Sequence, residues 1–337
     1  MTKTHSVVVS ILNWNTSEST INCVNSVLKM QATESLKIHV IVIDNGSASE
    51  NWEALRQGIN HEVVSIIRKK DNLGFAGGHN VAIQMAIAEN ADFIWLVNSD
   101  AIVTPETLGH LVSIMESDPT CGAVSPVIVA LHDEKILDFC GAQHDWGNLD
   151  SIRPRTIDEA LHREANHLTD MWVAGTVVLF RIAALKSTGF LDEGLFAYFE
   201  DDDIGARLSC ASWTSRMATQ AIVRHAQPHI KERPAYYFYL TSRNSFRFWL
   251  KHTPKPYRRF IRLRLLDRAL FTANRLYRRG SNAKAEACLL GALDGFLGRY
   301  GVPDLNRRPP VFMQLLRKAV LLKQFRLLRK IEPSQAQ

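Results

Sequence analysis

At 337 residues, with 46% hydrophobic and 22% charged side chains, the chain has the composition of a globular protein of about two domains, which excludes a disordered or fibrous polypeptide. Its 18 glycines and 12 prolines follow no three-residue period, which excludes collagen. Charge is unevenly placed: residues 254–330 carry 19 Lys and Arg against 4 Asp and Glu, a net of +15, behind a mildly acidic body. Such asymmetry suggests an anionic partner for the basic region, a nucleic acid or an anionic membrane surface. No apolar run reaches the roughly 18–20 residues of a membrane-spanning helix, and the start, MTKTHSVVVSILNWN, does not read as a signal peptide. Cys23, Cys121, Cys140, Cys210 and Cys288 are odd in number and form no CxxC pair, so neither a zinc knuckle nor a disulfide scaffold is expected. A reducing cytoplasm fits that usage.

The first 100 residues alternate regularly. The β-branched run 6–12 predicts a strand that ends in the polar turn Asn13-Trp14-Asn15. A helix follows over 17–30, with Ser17 as its N-cap. A second apolar run, 38–44, closes at Asn45-Gly46-Ser47, and a third, 63–68, leads into the Gly-rich loop DNLGFAGGHN (71–80). A helix over 80–90 and a fourth apolar run, 93–98, come next. Apolar strands separated by helices point to an α/β protein with a mostly parallel sheet buried on both faces. Ligands of such sheets sit outside the carboxyl ends of the strands. Asn13, Asn15, Asp44, Asn72 and Asp100 all fall at or just past those ends.

Beyond residue 120 the pattern loosens. Runs 123–131, 172–180 and 218–225 read as strands, 140–170 as a polar loop, and 196–211 as a loop entering a helix. Residues 235–252 read as an aromatic helix. In 260–279, Leu263, Leu266, Leu270, Ala273 and Tyr277 share one helical face and Arg264, Arg268, Arg275 and Arg279 the other. The division expected is a domain over 1–253 and a basic helical region over 254–337.

Five features carry chemistry. Asp44 could close a turn, or accept a hydrogen bond from a ligand amide such as a pyrimidine N–H. The Gly-rich loop lacks G-x-G-x-x-G spacing and follows the third strand, so a dinucleotide fingerprint is not expected; it is a tight turn or a close approach to phosphate or sugar. Asn98-Ser99-Asp100 ends a strand and could put one carboxylate on a divalent cation, or simply cap a turn. Glu200, Asp201, Asp202 and Asp203 could decorate a solvated helix start; behind Tyr198 and Phe199, a half-buried carboxylate with like-charged neighbours would have a raised pKa and suit a general base. His225 ends a strand and is either structural or a metal ligand.

The order of VVVSILNWN, VIDNGS, DNLGFAGGHN, WLVNSD, WVAGTVVLFR and GFLDEGLFAYFEDDDIGARL over roughly 5–250 resembles the family 2 glycosyltransferases, inverting enzymes of the GT-A fold, and their rhamnosyltransferase-like branch above all. The resemblance implies a catalytic pair Glu200 and Asp201, with Asp201 as base. It implies a donor site from Asn13, Asn15, Asp44, Asn72, Gly74, Gly77, Gly78, Asn80 and Asn98, and a Mg²⁺ or Mn²⁺ held by Asp100 and His225. The triplet departs from DxD in having an amide, Asn98, first, which weakens cation binding. The partners implied are a UDP- or dTDP-sugar and a glycan or lipid-linked acceptor, in cell-envelope polysaccharide biosynthesis. The expected location is the cytoplasm, peripheral on the cytoplasmic membrane face. The basic region has no zinc-finger spacing or RNP-type motif, so no nucleic acid is expected. The alternative is a sugar-nucleotide-binding protein without catalysis.

Overall fold

Valine, isoleucine and leucine run almost without interruption along β1 (His5–Asn13), and both sides of the strand are used. Val7, Val9 and Ile11 enter one core and Val8 the other. The same holds for β2 (Leu36–Asn45), β3 (Val64–Lys69) and β4 (Phe93–Asn98), which lie parallel in the order β3-β2-β1-β4. Helices α1 (Ser17–Leu28), α2 (Ser49–Gly58) and α3 (Gly74–Ala88) connect them, and α4 (Thr107–Ser117) follows the short β5 (Ala101–Ile102). Leu55 of α2 and Leu108 and Leu111 of α4 fill the first core, Ala76, Ala82 and Ile83 of α3 the second. The computed structural model describes residues 4–30, 36–226 and 232–320.

The later strands are β6 (Cys121–Ala130), β7 (Asp133–Phe139), β8 (Ala142–Asp145), β9 (Asp150–Ile152), β10 (Met171–Trp172), β11 (Val177–Arg181) and β12 (Thr214–His225). The main sheet continues β4-β11-β6-β12-β5, with β7 on β6, while β10-β8-β9 form a small second sheet. β11 runs antiparallel to both neighbours. It therefore begins at the edge where β1, β2 and β4 end, and the segment before it lies on that edge.

Several expectations are corrected. Ser17 is the first helical residue rather than the N-cap. α3 begins at Gly74, six residues before the expected start, because Gly77 and Gly78 let it lie against the chain: a Cβ on Gly78 would come within 2.3 Å of Leu12. The expected loop 140–170 holds the β8–β9 hairpin and α5 (Ile157–His167), capped by the Thr156 hydroxyl, which accepts from the Glu159 N–H. The expected strand 172–180 is broken between β10 and β11. Short helices α6 (Ile182–Thr188) and α7 (Glu200–Cys210) precede β12.

The chain forms two units, residues 1–193 with 200–227, and residues 194–199 with 228–337. In the second unit α8 (Ala235–His252), α9 (Arg258–Arg278) and α10 (Asn282–Leu297) pack together. Compactness thus groups the aromatic helix α8 with the helices after it, while residue 253 marks where the basic run begins. Residues 321–337 of that run lie outside the described residues. On α9 the buried apolar residues are Leu265, Ala269, Leu270, Ala273 and Leu276: Leu270 and Ala273 of the expected face pack and Leu266 and Tyr277 are half-buried, while Leu263 stands exposed and Leu265, Ala269 and Leu276 join instead. The small Ala269 and Ala273 explain the choice: they admit α10, whose Cys288 thiol donates to the Ala269 carbonyl. Among the described residues no helix is long and apolar enough to cross a membrane.

Candidate active site

The register of β1 and β2 places Asn13 beside Asp44. Both side chains are buried. The Asn13 amide donates to Asp44 Oδ1 at 2.8 Å, to Ser47 Oγ at 3.1 Å and to Asn51 Oδ1 at 3.1 Å, and its oxygen accepts from Thr20 at 2.8 Å. Asn13 therefore holds Asp44 in place. Asp44 Oδ2 has no hydrogen-bond partner, although the Arg68 guanidinium lies 3.6 Å away. A buried carboxylate oxygen left so is expensive unless something arrives to donate to it. Asn15, at φ 56°, accepts from the Ala48 N–H and frames the same corner.

The 71–80 segment is braced from below. Asn72 Oδ1 accepts from the Gly74 N–H at 2.8 Å and from Asn45 at 2.9 Å, and Asn45 donates in turn to the Gly74 carbonyl. Gly46, at φ +75°, lets the 44–47 and 71–74 turns touch: a Cβ there would fall 2.7 Å from the Asp71 backbone. Gly77 and Gly78 serve helix packing, and Asn80 donates to the Leu191 carbonyl and Glu193 at 2.9 Å. Those three positions act on the scaffold in this structure, whereas Asn72 and Gly74 lie at the strand-end turn.

β5 pairs with the end of β12, and this brings Asp100 to His225. His225 Nε2 lies 3.3 Å from Asp100 Oδ1, and Nδ1 lies 3.0 Å from Asp138 Oδ2 on β7. Burial pulls the imidazole pKa down, but the two carboxylates outweigh it and push it up to about 9. Asp138 fixes the ring with Nε2 towards Asp100, the arrangement a metal-binding imidazole commonly has. Among the described residues no group of three or more His, Cys, Asp or Glu could hold a metal ion. One carboxylate and one imidazole fit a cation whose remaining ligands are phosphate oxygens and water, not an all-protein cage.

The four acidic residues of α7 have four different environments. Asp203 is paired with Arg207 at 2.8 Å, and that guanidinium also donates to the carbonyls of Thr188, Gly189 and Phe190. Asp202 lies 3.6 Å from His144. Glu200 is buried with one oxygen unpartnered, and burial, then the Asp201 and Asp202 charges, raise its pKa well above the ordinary value. Asp201 is half-buried; Oδ2 accepts from the Gly175 N–H at 3.1 Å and Oδ1 from its neighbour's N–H at 3.0 Å. Burial, then the Asp202 charge, push its pKa up to about 6, against those two N–H groups and Arg153. Gly175 stands next to Thr176, whose carbonyl accepts from the Asn98 N–H at 2.8 Å. Thr16 joins the Asn13 cluster to Ser99 at 3.4 Å. Asp44, the 98–100 turn and Asp201 thus share one hydrogen-bonded sheet edge.

The profile of the family described as Glycosyltransferase like family 2 matches residues 5–247. The chain belongs to that family. This glycosyltransferase is similar to the N-acetylglucosaminyl-diphospho-decaprenol L-rhamnosyltransferase of two Mycobacterium tuberculosis strains, with 26% identity over 209 residues, 57% of this chain and 67% of that protein. Its fold is similar to that of a Pyrobaculum calidifontis mannosyltransferase solved with GDP-Man and Mn²⁺ (TM-score 0.58, 17% identity, 88% of this chain and 89% of that one). It is also similar to S. aureus TarS 1–349 (TM-score 0.52, 15% identity, 87% and 80%). The fold of the glycosyltransferase is of the GT-A type that the sequence resemblance implied. Sequence reasoning missed Asp138 and Gly175 as partners of His225 and Asp201. Asp138 lies in a strand with no pattern of its own, and Gly175 acts through its backbone, which leaves no signal in residue type.

Proposed function

We propose that this glycosyltransferase moves a sugar, rhamnose in our reading, from a UDP- or dTDP-sugar to a glycan or lipid-linked acceptor, with inversion and with Asp201 as general base. The observation that carries the proposal is Asp201: a carboxylate pushed up to about 6, on the same hydrogen-bonded edge as the unsatisfied Asp44 Oδ2. Asp44 accepts from the N3–H of uracil or thymine, and Asn13 keeps its other oxygen occupied. Asn15, Asn72, Gly74 and Asn98 border the donor. The acceptor hydroxyl attacks the anomeric carbon as the bond from that carbon to the diphosphate oxygen breaks. The hydroxyl proton passes to Asp201, and the nucleoside diphosphate leaves with the bonding pair. One displacement at carbon inverts its configuration, and no covalent intermediate is required.

Burial, then the Asp201 and Asp202 charges, raise the Glu200 pKa well above the ordinary value, so Glu200 resists ionising beside Asp201. Asp100 and His225 would hold Mg²⁺ or Mn²⁺, which when bound supplies positive charge to the leaving diphosphate. The β8–β9 hairpin borders the acceptor side, since His144 reaches Asp202 and the exposed Trp146 contacts His144. The relative's name supports rhamnose and a polyprenyl-diphosphate acceptor of polysaccharide biosynthesis. In this reading residues 1–253 carry the chemistry, and the basic region 254–337 attaches the enzyme to the cytoplasmic face of a membrane. Incubation with a panel of UDP- and dTDP-sugars, scored by donor hydrolysis and thermal shift, tests it. Stabilisation by a donor that is never turned over, with or without acceptor, would favour a binding protein without catalysis.

A further inference from the structure

We propose that the start of α9 is the surface that docks on an anionic phospholipid bilayer. Arg258, Arg259 and Arg262 meet the headgroups, while Tyr257, Phe260 and Leu263 enter the interface. The inference deepens the membrane attachment proposed above and does not depend on the donor chemistry.

The helix has seven arginines and one carboxylate, Asp267. Its packed face is already occupied by the helical unit. What remains outside is not simply polar. Tyr257 is 64% exposed, Phe260 62% and Leu263 54%. Large apolar side chains clustered at one end of a basic helix are unusual on a surface that meets only water. Between them the arginines line an open groove of about 510 Å³, walled by Leu263 and Phe296. The Arg262 guanidinium lies 5.6 Å over the Phe296 ring. Arg258 is anchored through the carbonyls of Thr253 and Lys251. Among the described residues none of these three arginines is paired with a carboxylate. The groove is thus a cationic slot with an apolar wall, which matches a phosphate headgroup joined to an acyl chain. Arginines and aromatics alone would serve RNA as well, by phosphate contact and base stacking. Leu263 on the groove wall favours lipid, because a leucine side chain gains by entering the acyl boundary.

The test uses the full chain and sedimentation with vesicles of phosphatidylcholine alone or of an equal mixture with phosphatidylglycerol. The protein is expected to sediment with the mixed vesicles at low salt and to be released by high salt. Arg259→Gln with Arg262→Gln should weaken that partition by about 30-fold, the loss of two charges at the surface. Phe260→Trp supplies a second readout: the new indole should shift to the blue on mixed vesicles and be quenched by brominated lipid. Equal sedimentation on both vesicle types, or none, would overturn the inference. So would undiminished binding by the double arginine variant, an unquenched indole, or tighter binding to single-stranded RNA than to the mixed vesicles. Binding by a protein that turns over no donor would leave this surface standing and remove the donor reading alone.

Discussion

An Asp201→Asn substitution removes one half-buried negative charge, and its single amide oxygen can serve only one of the Gly175 and Asp202 N–H groups, which bond different oxygens of the carboxylate. Two effects of opposite sign follow. Loss of a general base costs transfer about 10²–10⁴-fold, and donor affinity should barely change because the base acts on the acceptor. Where the wild-type carboxylate is charged, the fold should gain from losing that charge, against a cost for the N–H group left without its acceptor. The Asp201 carboxyl is raised from 3.8 to about 6, burial first and the Asp202 charge second. Two pKa units correspond to about 3 kcal/mol of unfavourable ionisation, and partial solvent access reduces that to about 1–3 kcal/mol. For a unit of this size about 2 kcal/mol shifts the melting point by roughly 4–8 °C. The sign depends on pH. A raised carboxyl contributes stability that is fully present below its unfolded value and is lost as pH rises through about 6. The variant should therefore melt below the wild type near pH 4, by the cost of the lost acceptor, and its melting point should rise relative to the wild type by roughly 4–8 °C between pH 4 and pH 8. Calorimetric melts at both pH values and a turnover assay read both effects. A variant that keeps turnover within tenfold would refute the role, and one whose melting point does not rise relative to the wild type between pH 4 and pH 8 would refute the destabilising charge.

Asp44→Asn turns an acceptor into a possible donor opposite the base N3–H; UDP and dTDP should bind about 10–100-fold more weakly, as loss of a charged hydrogen bond implies, with KM rising more than kcat falls. Titration calorimetry with the two nucleotides checks it, and unchanged affinity would remove Asp44 from the donor site. Asp100→Ala and His225→Ala should each weaken both Mn²⁺ and nucleoside diphosphate binding, with Mn²⁺ followed by its paramagnetic resonance signal. Full turnover in excess EDTA would contradict the proposed cation site.

The strand ends were legible because the sheet dictates them. An apolar run buried on both faces must finish in polar residues, and Asp44 and Asp100 are such residues. The hidden parts act through geometry that residue type does not encode. β11 reads like any other apolar strand, yet its antiparallel direction brings Gly175 to the site. Asn13, Gly77, Gly78 and Asn80 were grouped with the donor through resemblance, and here they hold Asp44, admit α3 against β1 and fasten 191–193. The acidic run could be located but not resolved, since only the structure distinguishes the ion-paired Asp203 from the half-buried Asp201. On α9 a helical wheel placed the buried Leu270 and Ala273 on the apolar face but put Leu263 there too and left out Leu265, Ala269 and Leu276. Leu263 stays exposed while Leu265 and Ala269 are buried, and Ala269 meets Cys288 of α10.

The configuration at the anomeric carbon tests the displacement chemistry most directly. Once the donor panel has named the sugar, the product can be examined by proton NMR through the coupling and chemical shift of its anomeric proton. Displacement in one step with Asp201 as base predicts a product of configuration opposite to the donor, formed by the wild type and lost in Asp201→Asn. A product that retains the donor configuration would contradict that chemistry, whatever sugar is transferred.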